Sequence, residues 1–203
     1  MSNAILIADD HSMIRKGLKL FMQLNLGYQK IKEVGSCNEL MKELVKNKYT
    51  HLILDIILTD GSTLEVIPNI RRVYPDMKIM VFSMQPQEIY AEALKQYGIN
   101  SYLSKNLGEE EILSFLEHFI NNSEIVQQKS SPITQLNPFT QLAPRELEVL
   151  HYLLKGMRTK LIGETLNLKM STVSTIKHRV FEKTGAGNLK ELLEMATLYN
   201  VNY

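Results

Sequence analysis

The feature that most constrains the fold of this chain is an alternation of two residue patterns along residues 1–122. Short apolar runs rich in Ile, Leu and Val alternate with longer stretches in which apolar residues recur at helical spacing. Such runs predict strands buried on both faces, and their alternation with helices predicts βαβ units and a parallel sheet. We therefore predict a doubly wound α/β domain of five strands and five helices. The predicted strands are Ala4–Ala8, Ile31–Gly35, Leu52–Leu54, Lys78–Phe82 and Ser101–Leu103, and the predicted helices are Ser12–Leu26, Asn38–Asn47, Leu64–Tyr74 (shortened or kinked by Pro68), Glu88–Tyr97 and Glu109–Ile120.

The rest of the chain predicts a second, all-α domain. Residues 121–140 lose the periodicity and gather Asn, Gln, Ser and Pro, which is a composition typical of a linker. We place the first domain at 1–122, the linker at 123–139 and the second domain at 140–203. The helices predicted in the second domain are Pro144–Leu154, Thr159–Leu166, Ser171–Thr184 and Leu189–Tyr199.

Charge separates the two predicted domains although the net charge of the chain is only +1. Residues 1–122 carry 13 basic against 15 acidic side chains, whereas residues 123–203 carry 10 against 7. This asymmetry favours an acidic site in the first domain and a polyanion partner for the second. The single cysteine, Cys37, gives no reason to expect an oxidising compartment, and no apolar run is long enough to span a membrane. The N-terminus has no signal-peptide pattern, so we expect a cytoplasmic protein with no membrane partner.

Polar side chains follow the predicted strands at the points where these strands end. Asp9 and Asp10 follow the first strand, Asp55 ends the third, Ser83 ends the fourth and Lys105 follows the fifth. The carboxyl ends of parallel strands meet at one edge of the sheet, where ligands of doubly wound folds bind. We therefore expect three acids, a hydroxyl and an ammonium to lie together.

This set of groups favours phosphoryl transfer. Three close carboxylates raise one another's pKa unless a hard divalent cation such as Mg²⁺ neutralises them. Together with Lys105, the cation can neutralise an incoming phosphoryl group while Asp55 attacks the phosphorus atom. The sequence therefore predicts an aspartyl phosphate at Asp55.

The segments that carry these residues resemble the NarL/LuxR-type (NarL/FixJ family) response regulators of two-component systems. They are Ala8–Leu18 (ADDHSMIRKGL), Leu54–Gly61 (LDIILTDG) and Ser101–Lys105 (SYLSK). The resemblance implies a five-stranded, flavodoxin-like receiver domain with Asp55 as phosphoacceptor, and it further implies these roles: Asp10, Asp55 and the backbone carbonyl of Ile57 as Mg²⁺ ligands, Asp9 as a ligand through water, Ser83 as switch hydroxyl, Tyr102 as switch aromatic and Lys105 as the phosphate-binding lysine.

The chain departs from the family pattern around this site. Ser12 and Thr59 stand where the family usually has proline, and Thr63 where it often has glycine. We expect the loop after Asp55 to be less rigid without its proline.

The second domain is similar to the LuxR-type helix-turn-helix domain. Leu142–Leu150 resembles the entry and first helix of that family, and later family positions are matched by Gly156, Ile162, Leu166, Leu168, Thr172, Val173 and Lys183. In this geometry the second helix of the motif enters the major groove, and here that recognition helix is Ser171–Thr184.

Helical spacing divides the recognition helix into two faces. Val173, Ile176 and Val180 should face the core. The helix also departs from the family pattern, because Ser174 stands where the family usually has lysine and Ile176 where it usually has histidine. We expect base contacts from Ser174, Thr175 and His178, a further contact from Thr172, and phosphate contacts from Lys160, Lys177, Arg179 and Lys183.

We interpret the chain as a transcription regulator that a partner sensor histidine kinase controls by phosphorylating Asp55. Its partners would be double-stranded DNA and, when phosphorylated or DNA-bound, a second copy of itself paired through the last helix. The interpretation includes no enzymatic activity beyond self-phosphotransfer and autodephosphorylation at Asp55. One alternative is a phosphorelay or protein-interaction module whose helical domain binds protein or RNA. Another is a metal-dependent phosphohydrolase, which needs a substrate pocket and acid/base groups that the sequence does not supply.

Overall fold

The computed structural model describes residues 4–121 and 137–201. The described residues group into two compact units, 4–84 with 97–121 and 85–96 with 137–201. Most of the predicted linker lies outside the described residues, so the domain boundaries stay predictions. In the described ranges, no helix combines the length and the apolar character needed to cross a membrane.

The first unit contains the predicted five-stranded parallel sheet. The strands along the chain are β1 (Ile5–Ala8), β2 (Ile31–Val34), β3 (His51–Leu54), β4 (Ile57–Leu58), β5 (Gly61–Ser62), β6 (Lys78–Ser83) and β7 (Ser101–Ser104). Five of them pair in the order β2-β1-β3-β6-β7, with every neighbour parallel. The short β4 and β5 form a separate antiparallel hairpin just after β3, which periodicity did not predict. The strand order reverses at β1, so the crevice beyond β1 and β3 is the expected ligand site of this topology.

The helices of the N-terminal half follow the predicted order. They are α1 (Ser12–Leu24), α2 (Cys37–Lys46), α3 (Ile67–Val73), α4 (Gln87–Lys95) and α5 (Glu109–Asn121), and α4 groups with the second unit. Pro68 has the predicted effect on the third helix. A 3-10 turn occupies Thr63–Glu65, and the α-helix that follows is seven residues long with the proline in its first turn, where a missing N–H costs nothing.

The core of the first unit explains why the inner strands β1, β3 and β6 are rich in apolar residues. Strand residues on one face of the sheet, such as Ile5, Ile53 and Phe82, pack with Met22 of α1 and Leu116 of α5 in one buried cluster. Burial of this apolar surface stabilises the sheet and fixes the strand ends that carry the polar residues.

The second unit contains the four predicted helices of the C-terminal half. They are α6 (Pro144–Leu154), α7 (Thr159–Thr165), α8 (Met170–Thr184) and α9 (Leu189–Leu198). A 3-10 turn at Pro138–Gln141 precedes them. Phe139 of this turn is fully buried and meets the Tyr199 ring edge-on at 6.0 Å. The last residues of the predicted linker therefore pack with the helical domain.

The turn between α7 and α8 depends on a glycine. Gly163 accepts a hydrogen bond from the Leu168 backbone N–H at 2.8 Å, and a Cβ atom added to Gly163 would lie 2.8 Å from the Leu168 carbonyl oxygen. Any larger residue would push the two backbone segments apart, so this glycine sets the angle at which the helix-turn-helix closes.

Candidate functional site

The sheet brings the predicted polar residues to one edge. Asp55 directly follows β3, and its backbone N–H donates to the Ala8 carbonyl of β1 at 2.8 Å. The Lys105 N–H donates to the Ser83 carbonyl at 2.9 Å, which joins the ends of β7 and β6. These backbone hydrogen bonds continue the pairing of the parallel strands. The side chains that follow the strand ends therefore lie close together at one edge of the sheet.

Asp55 is buried between a hydroxyl and an ammonium. Ser83 Oγ donates to Asp55 Oδ1 at 2.6 Å, and Lys105 Nζ donates to Asp55 Oδ2. Lys105 Nζ also lies 2.6 Å from Asp9 Oδ2, and the lysine side chain is only 2% exposed. A buried ammonium held by two carboxylates is in place to neutralise a phosphoryl group that arrives at Asp55.

The charges around the Asp55 carboxylate favour the binding of a further positive charge beside it. Burial raises the pKa of Asp55 above its ordinary value. Hydrogen bonds and charge from Lys105 and Ser83 oppose this shift without cancelling it, while the nearby Asp9 carboxylate adds to it. A cation next to Asp55 would favour its ionised form, which is the form that can act as a nucleophile.

The acids have the composition and spacing of a metal site. Ligand atoms of Asp9, Asp10, His11 and Asp55 all lie within 4.8 Å of one another. Three of these four groups are carboxylates, and the Lys105 ammonium pairs with two of them, Asp9 and Asp55. One divalent cation would neutralise the negative charge that remains. Oxygen donors of this kind suit Mg²⁺. Ile57, whose carbonyl was the other predicted ligand, opens β4 two residues after Asp55.

The loop after Asp55 has ties that the sequence analysis missed. Thr63 is fully buried. Its hydroxyl donates to the Asp55 carbonyl at 2.8 Å and also lies within hydrogen-bond distance of the Ile56 carbonyl, at 3.1 Å. The Thr59 hydroxyl donates to the Gly35 carbonyl at 3.1 Å. The two threonines that depart from the family pattern therefore both bind backbone carbonyls, Thr63 those of Asp55 and Ile56 and Thr59 that of Gly35.

Asp60 ties the same loop to the start of α2. Its carboxylate accepts backbone hydrogen bonds from Cys37 at 2.6 Å and Asn38 at 2.9 Å. Burial raises the pKa of Asp60, but these hydrogen bonds outweigh it, and the net pKa is lowered. The charge of Asp60 also complements the positive end of the helix dipole. We expected this loop to be less rigid without the proline. The side-chain hydrogen bonds of Thr59, Thr63 and Asp60 can restrain the loop in place of the proline.

The switch residues predicted by resemblance lie in β6 and β7. Tyr102 pairs with Val81 in the parallel register and is 5% exposed. Ser83 ends β6 and donates a hydrogen bond to Asp55. The two residues occupy the predicted strands, and their switching role stays a prediction.

The recognition helix α8 has the two faces that its spacing predicts. Val173, Ile176 and Val180 are buried. On the other face, Thr172, Ser174, Thr175, His178 and Arg179 are all exposed. The predicted base-contacting residues thus share an accessible face of one helix.

The predicted phosphate-contacting lysines differ in their surroundings. Lys160 on α7 is 81% exposed beside Glu164. The Lys177 ammonium lies 5.6 Å from the centre of the Phe181 ring. Lys183, by contrast, ion-pairs with Glu146 of α6 at 2.7 Å and donates to the Gln141 carbonyl at 3.1 Å. Its ammonium is engaged within the domain, which a helix-by-helix sequence analysis could not detect.

Comparison with known proteins decides the family. Residues 5–117 match the model of the response regulator receiver domain, which is more than half of the chain. The chain belongs to the response regulator receiver family. Residues 140–196 of this response regulator match the family of bacterial regulatory proteins of the luxR type. It is a response regulator with a LuxR-type DNA-binding domain, as the sequence predicted.

Similar proteins share this arrangement along nearly their whole length. Response regulator UvrY of Escherichia coli (strain K12) is 26% identical over 95% of this chain and 92% of its own length. The oxygen regulatory protein NreC of Staphylococcus haemolyticus (strain JCSC1435) is 28% identical over 95% of both chains. Among solved structures, RcsB of Salmonella enterica serovar Typhimurium, bound to promoter rprA in the presence of the phosphomimetic BeF3⁻, superposes with a TM-score of 0.78 at 22% identity. That alignment covers 97% of this response regulator and 99% of the RcsB chain, and it shows a common fold.

Proposed function

We propose that this response regulator controls transcription through phosphorylation of Asp55 by a partner sensor histidine kinase. The observation that carries the proposal is the placement of a buried Asp55 carboxylate between Ser83 Oγ and Lys105 Nζ, beside acids spaced to hold one cation. In this family setting the arrangement supports an aspartyl phosphate.

The chemistry follows from the groups around Asp55. A carboxylate oxygen of Asp55 attacks the phosphorus of a phosphohistidine, the P–N bond breaks, and the imidazole leaves with a proton from solvent. Lys105 neutralises the negative charge that arrives, because its ammonium is already held between Asp9 and Asp55. Bound through Asp10, Asp55, the Ile57 carbonyl and, by way of water, Asp9, Mg²⁺ would supply further charge neutralisation at the phosphoryl oxygens. Autodephosphorylation by water at the same phosphorus is the only other reaction we assign to the chain.

The signal then passes through Ser83. Its hydroxyl donates to Asp55 Oδ1 before phosphorylation, and a phosphoryl oxygen offers a more highly charged acceptor at the same place. Exchange of that hydrogen bond would move the end of β6 and change the packing of Tyr102 in β7. A ligand shifts such an equilibrium only by its difference in affinity for the two states, and here that difference lies in the Ser83 hydrogen bond.

The output is binding of double-stranded DNA through α8. RcsB, a protein of the same fold, was solved bound to a promoter, and the exposed face of α8 in this chain has both base-contacting and cationic side chains. We infer that two copies bind together, because one small domain offers few contacts and linked domains raise each other's effective concentration. We expect α9 to pair the two copies. A DNA-binding regulator has to reach the DNA that it binds, so we propose that this protein is located in the cytoplasm.

The phosphorylation proposal is tested by intact mass after incubation with a histidine kinase or an acyl phosphate. We expect one added phosphoryl group with Mg²⁺ present, none with excess chelator and none in Asp55→Asn. Asp76→Asn, which removes an exposed carboxylate elsewhere in the receiver, is the matched control and should label normally. Full labelling of Asp55→Asn would refute the assignment.

The DNA proposal is tested by a genome-wide binding profile with and without phosphodonor. We expect a limited set of promoters whose occupancy rises with phosphorylation of Asp55. A profile with no enriched DNA in either condition would contradict the DNA proposal and favour the interaction-module alternative.

A further inference from the structure

An exposed methionine opens the recognition helix. Sequence spacing predicted a helix that begins at Ser171, whereas α8 begins one residue earlier, at Met170. The Met170 side chain is 59% exposed. A single exposed apolar side chain is common on protein surfaces, so exposure alone does not give Met170 a role. Its position on α8 does.

Helix geometry places Met170 beside the predicted base-contacting residues. Side chains four residues apart are neighbours on a helix surface, so Met170 lies next to Ser174, which is exposed. Helical side chains also tilt toward the N-terminus of their helix. Met170 therefore extends from Ser174 toward the N-terminal end of α8, and this is the part of a recognition helix that contacts base edges.

The backbone of Met170 is held in place by the packing of α7 against α8. The Met170 nitrogen lies 3.7 Å from the point where a Cβ atom of Gly163 would be, and so does Cγ2 of the fully buried Val173. The Val173 N–H donates to the Lys169 carbonyl at 3.1 Å, which closes the first turn of α8. An exposed side chain thus projects from a well-fixed position in the helix-turn-helix.

The residues around Met170 favour DNA as the partner that covers it. Its neighbours Lys169, Ser171, Thr172 and Ser174 are exposed, and the first turn of α8 has no acidic residue. Protein-binding surfaces usually present a contiguous apolar patch, whereas here one apolar side chain stands among hydroxyls and a cation. The base edges of the major groove are polar except for the methyl group of thymine. One apolar side chain in polar and cationic surroundings complements that groove.

We propose that Met170 contacts the methyl group of a thymine and thereby adds to the sequence preference of this response regulator. The inference rests on the proposed function, because it requires α8 to enter the major groove. It goes beyond the base contacts expected from the sequence, which were assigned to side chains that form hydrogen bonds. The flexible, polarisable thioether of methionine can adapt its shape to such a methyl group.

The test removes the methyl group from the DNA and the methionine from the protein. The full chain, with acetyl phosphate and Mg²⁺, selects binding sites from a library of random-sequence duplexes. Each thymine of the selected site is then replaced in turn by uracil, which lacks only the 5-methyl group. We expect one replacement to weaken wild-type binding about fourfold, as for one methyl group returned to water. The same replacement should leave the affinity of Met170→Ala unchanged.

Two further variants make the result specific to the apolar side chain. Met170→Leu retains an apolar side chain of similar volume and should retain the discrimination between thymine and uracil. Leu161→Ala is the matched control, because Leu161 is an exposed apolar residue of α7, and the first helix of the motif crosses the DNA backbone. This control should discriminate as wild type does. Circular dichroism checks that every variant is folded, which we expect because alanine favours helices.

The outcomes separate this inference from the proposed function. If wild type selects no sequence from the library, the proposed DNA binding is wrong and the inference fails with it. If wild type selects a site but no uracil replacement affects it, or if Met170→Ala still discriminates, only the inference is wrong. The same holds if Leu161→Ala loses the discrimination too.

A second copy of the chain is the other partner that could cover Met170. Sedimentation of the phosphorylated chain measures this directly. If Met170→Ala reduces dimerisation and leaves the discrimination between thymine and uracil intact, Met170 contacts a second copy and the inference is wrong.

Discussion

Lys183 Nζ lies 2.7 Å from Glu146 Oε2, across the interface between α8 and α6. The same Glu146 oxygen accepts the backbone N–H of Ala143 at 2.8 Å, which caps the start of α6. Glu146 is almost fully buried, whereas Lys183 is about one third exposed. The pair thus ties the C-terminal end of the recognition helix to the N-terminal end of the first helix, and it supplies the counter-charge of a buried carboxylate.

Lys183→Met is therefore expected to destabilise the helical domain. A buried carboxylate left without its cation costs about 1–3 kcal/mol, less than for a fully buried pair because Lys183 is partly exposed. Lys190→Met is the control, because Lys190 pairs with Glu194 at 3.8 Å on the surface of α9 and should cost less than about 0.5 kcal/mol. The measurement is urea unfolding followed by circular dichroism. Equal stability of the two variants would contradict the stabilising role of the Lys183–Glu146 pair.

The pairing of Lys183 shows what sequence spacing can and cannot predict. Ser83, Asp55 and Lys105 could be placed together because parallel strands put their carboxyl ends at one edge, whatever the helices do. The partner of Lys183 depends on how α6 packs on α8, which is a tertiary relationship between residues 37 positions apart. Periodicity assigned Lys183 to a helix correctly, but it gave no information about the neighbouring helix.

The hydrogen bonds around Asp55 could not be predicted for a related reason. Thr59 and Thr63 were recognised only as departures from a family pattern, because a hydroxyl has many possible acceptors and the sequence does not say which one it meets. Asp60 was seen as part of a motif, yet its role at the start of α2 requires two loops to be adjacent. The β4–β5 hairpin has only two residues in each strand, which is too short for a period-2 pattern to appear.

Ser83→Ala should retain phosphorylation and lose the response. The hydroxyl that donates to Asp55 Oδ1 is absent in this variant, while Lys105 and the acids that promote transfer remain. We expect labelling within a few-fold of wild type and little gain in DNA affinity on adding phosphodonor. Ser83→Thr retains the hydroxyl and should retain the gain. Labelling is followed by intact mass and DNA affinity by titration, and a normal response in Ser83→Ala would place the switch elsewhere.

Thr63→Val should slow phosphorylation of Asp55 and lower stability. The substitution retains the shape of the buried side chain but removes the hydroxyl that binds the Asp55 and Ile56 carbonyls. Loss of such buried hydrogen bonds costs about 1–2 kcal/mol, and it loosens the backbone that carries the nucleophile. Thr63→Ser should restore the phosphorylation rate at fixed Mg²⁺. If both variants are equally slow, the methyl group of Thr63 matters and the hydroxyl does not.

His51 should make the receiver less stable in mild acid. Burial, and secondarily the charge of Lys78, lower the pKa of His51 to about 4, compared with 6.5 for a free histidine. Its ring packs edge-on against Phe119 at 5.3 Å and its Nδ1 contacts the Thr50 hydroxyl at 2.9 Å, while Nε2 has no hydrogen-bond partner among the described residues. The unfolded chain binds the proton more tightly, so stability is full above pH 6.5 and falls as the pH drops toward 4.

We expect His51 to account for about 1–3 kcal/mol of that loss. His51→Leu should have a flatter dependence of unfolding free energy on pH than wild type between pH 7.5 and 4.5. His118→Gln, an exposed substitution on α5, controls for the loss of a histidine as such. Urea unfolding at several pH values gives the comparison, and parallel curves for wild type and His51→Leu would contradict the prediction.

The exposed face of α8 should divide into residues that read bases and residues that hold phosphates. The Thr175 hydroxyl donates to the Ser171 carbonyl of its own helix at 3.0 Å, so its lone pairs are left to accept a hydrogen bond from an amino group of adenine or cytosine in the major groove. His178 lies on the same face, three residues further along. Thr175→Ala and His178→Ala should each reduce the binding free energy that separates the preferred base from other bases, by about 1–3 kcal/mol at the base pair that the residue contacts. Arg179→Ala should weaken binding to all sequences alike and lower the salt slope by about one.

Thr165→Ala is the matched control, because Thr165 is also exposed and makes the same bond within its helix, to Leu161 at 2.9 Å. Titrations on specific and scrambled duplexes at several salt concentrations measure both quantities. If Arg179→Ala changes the sequence preference while Thr175→Ala and His178→Ala leave it intact, the roles of the two sets are reversed.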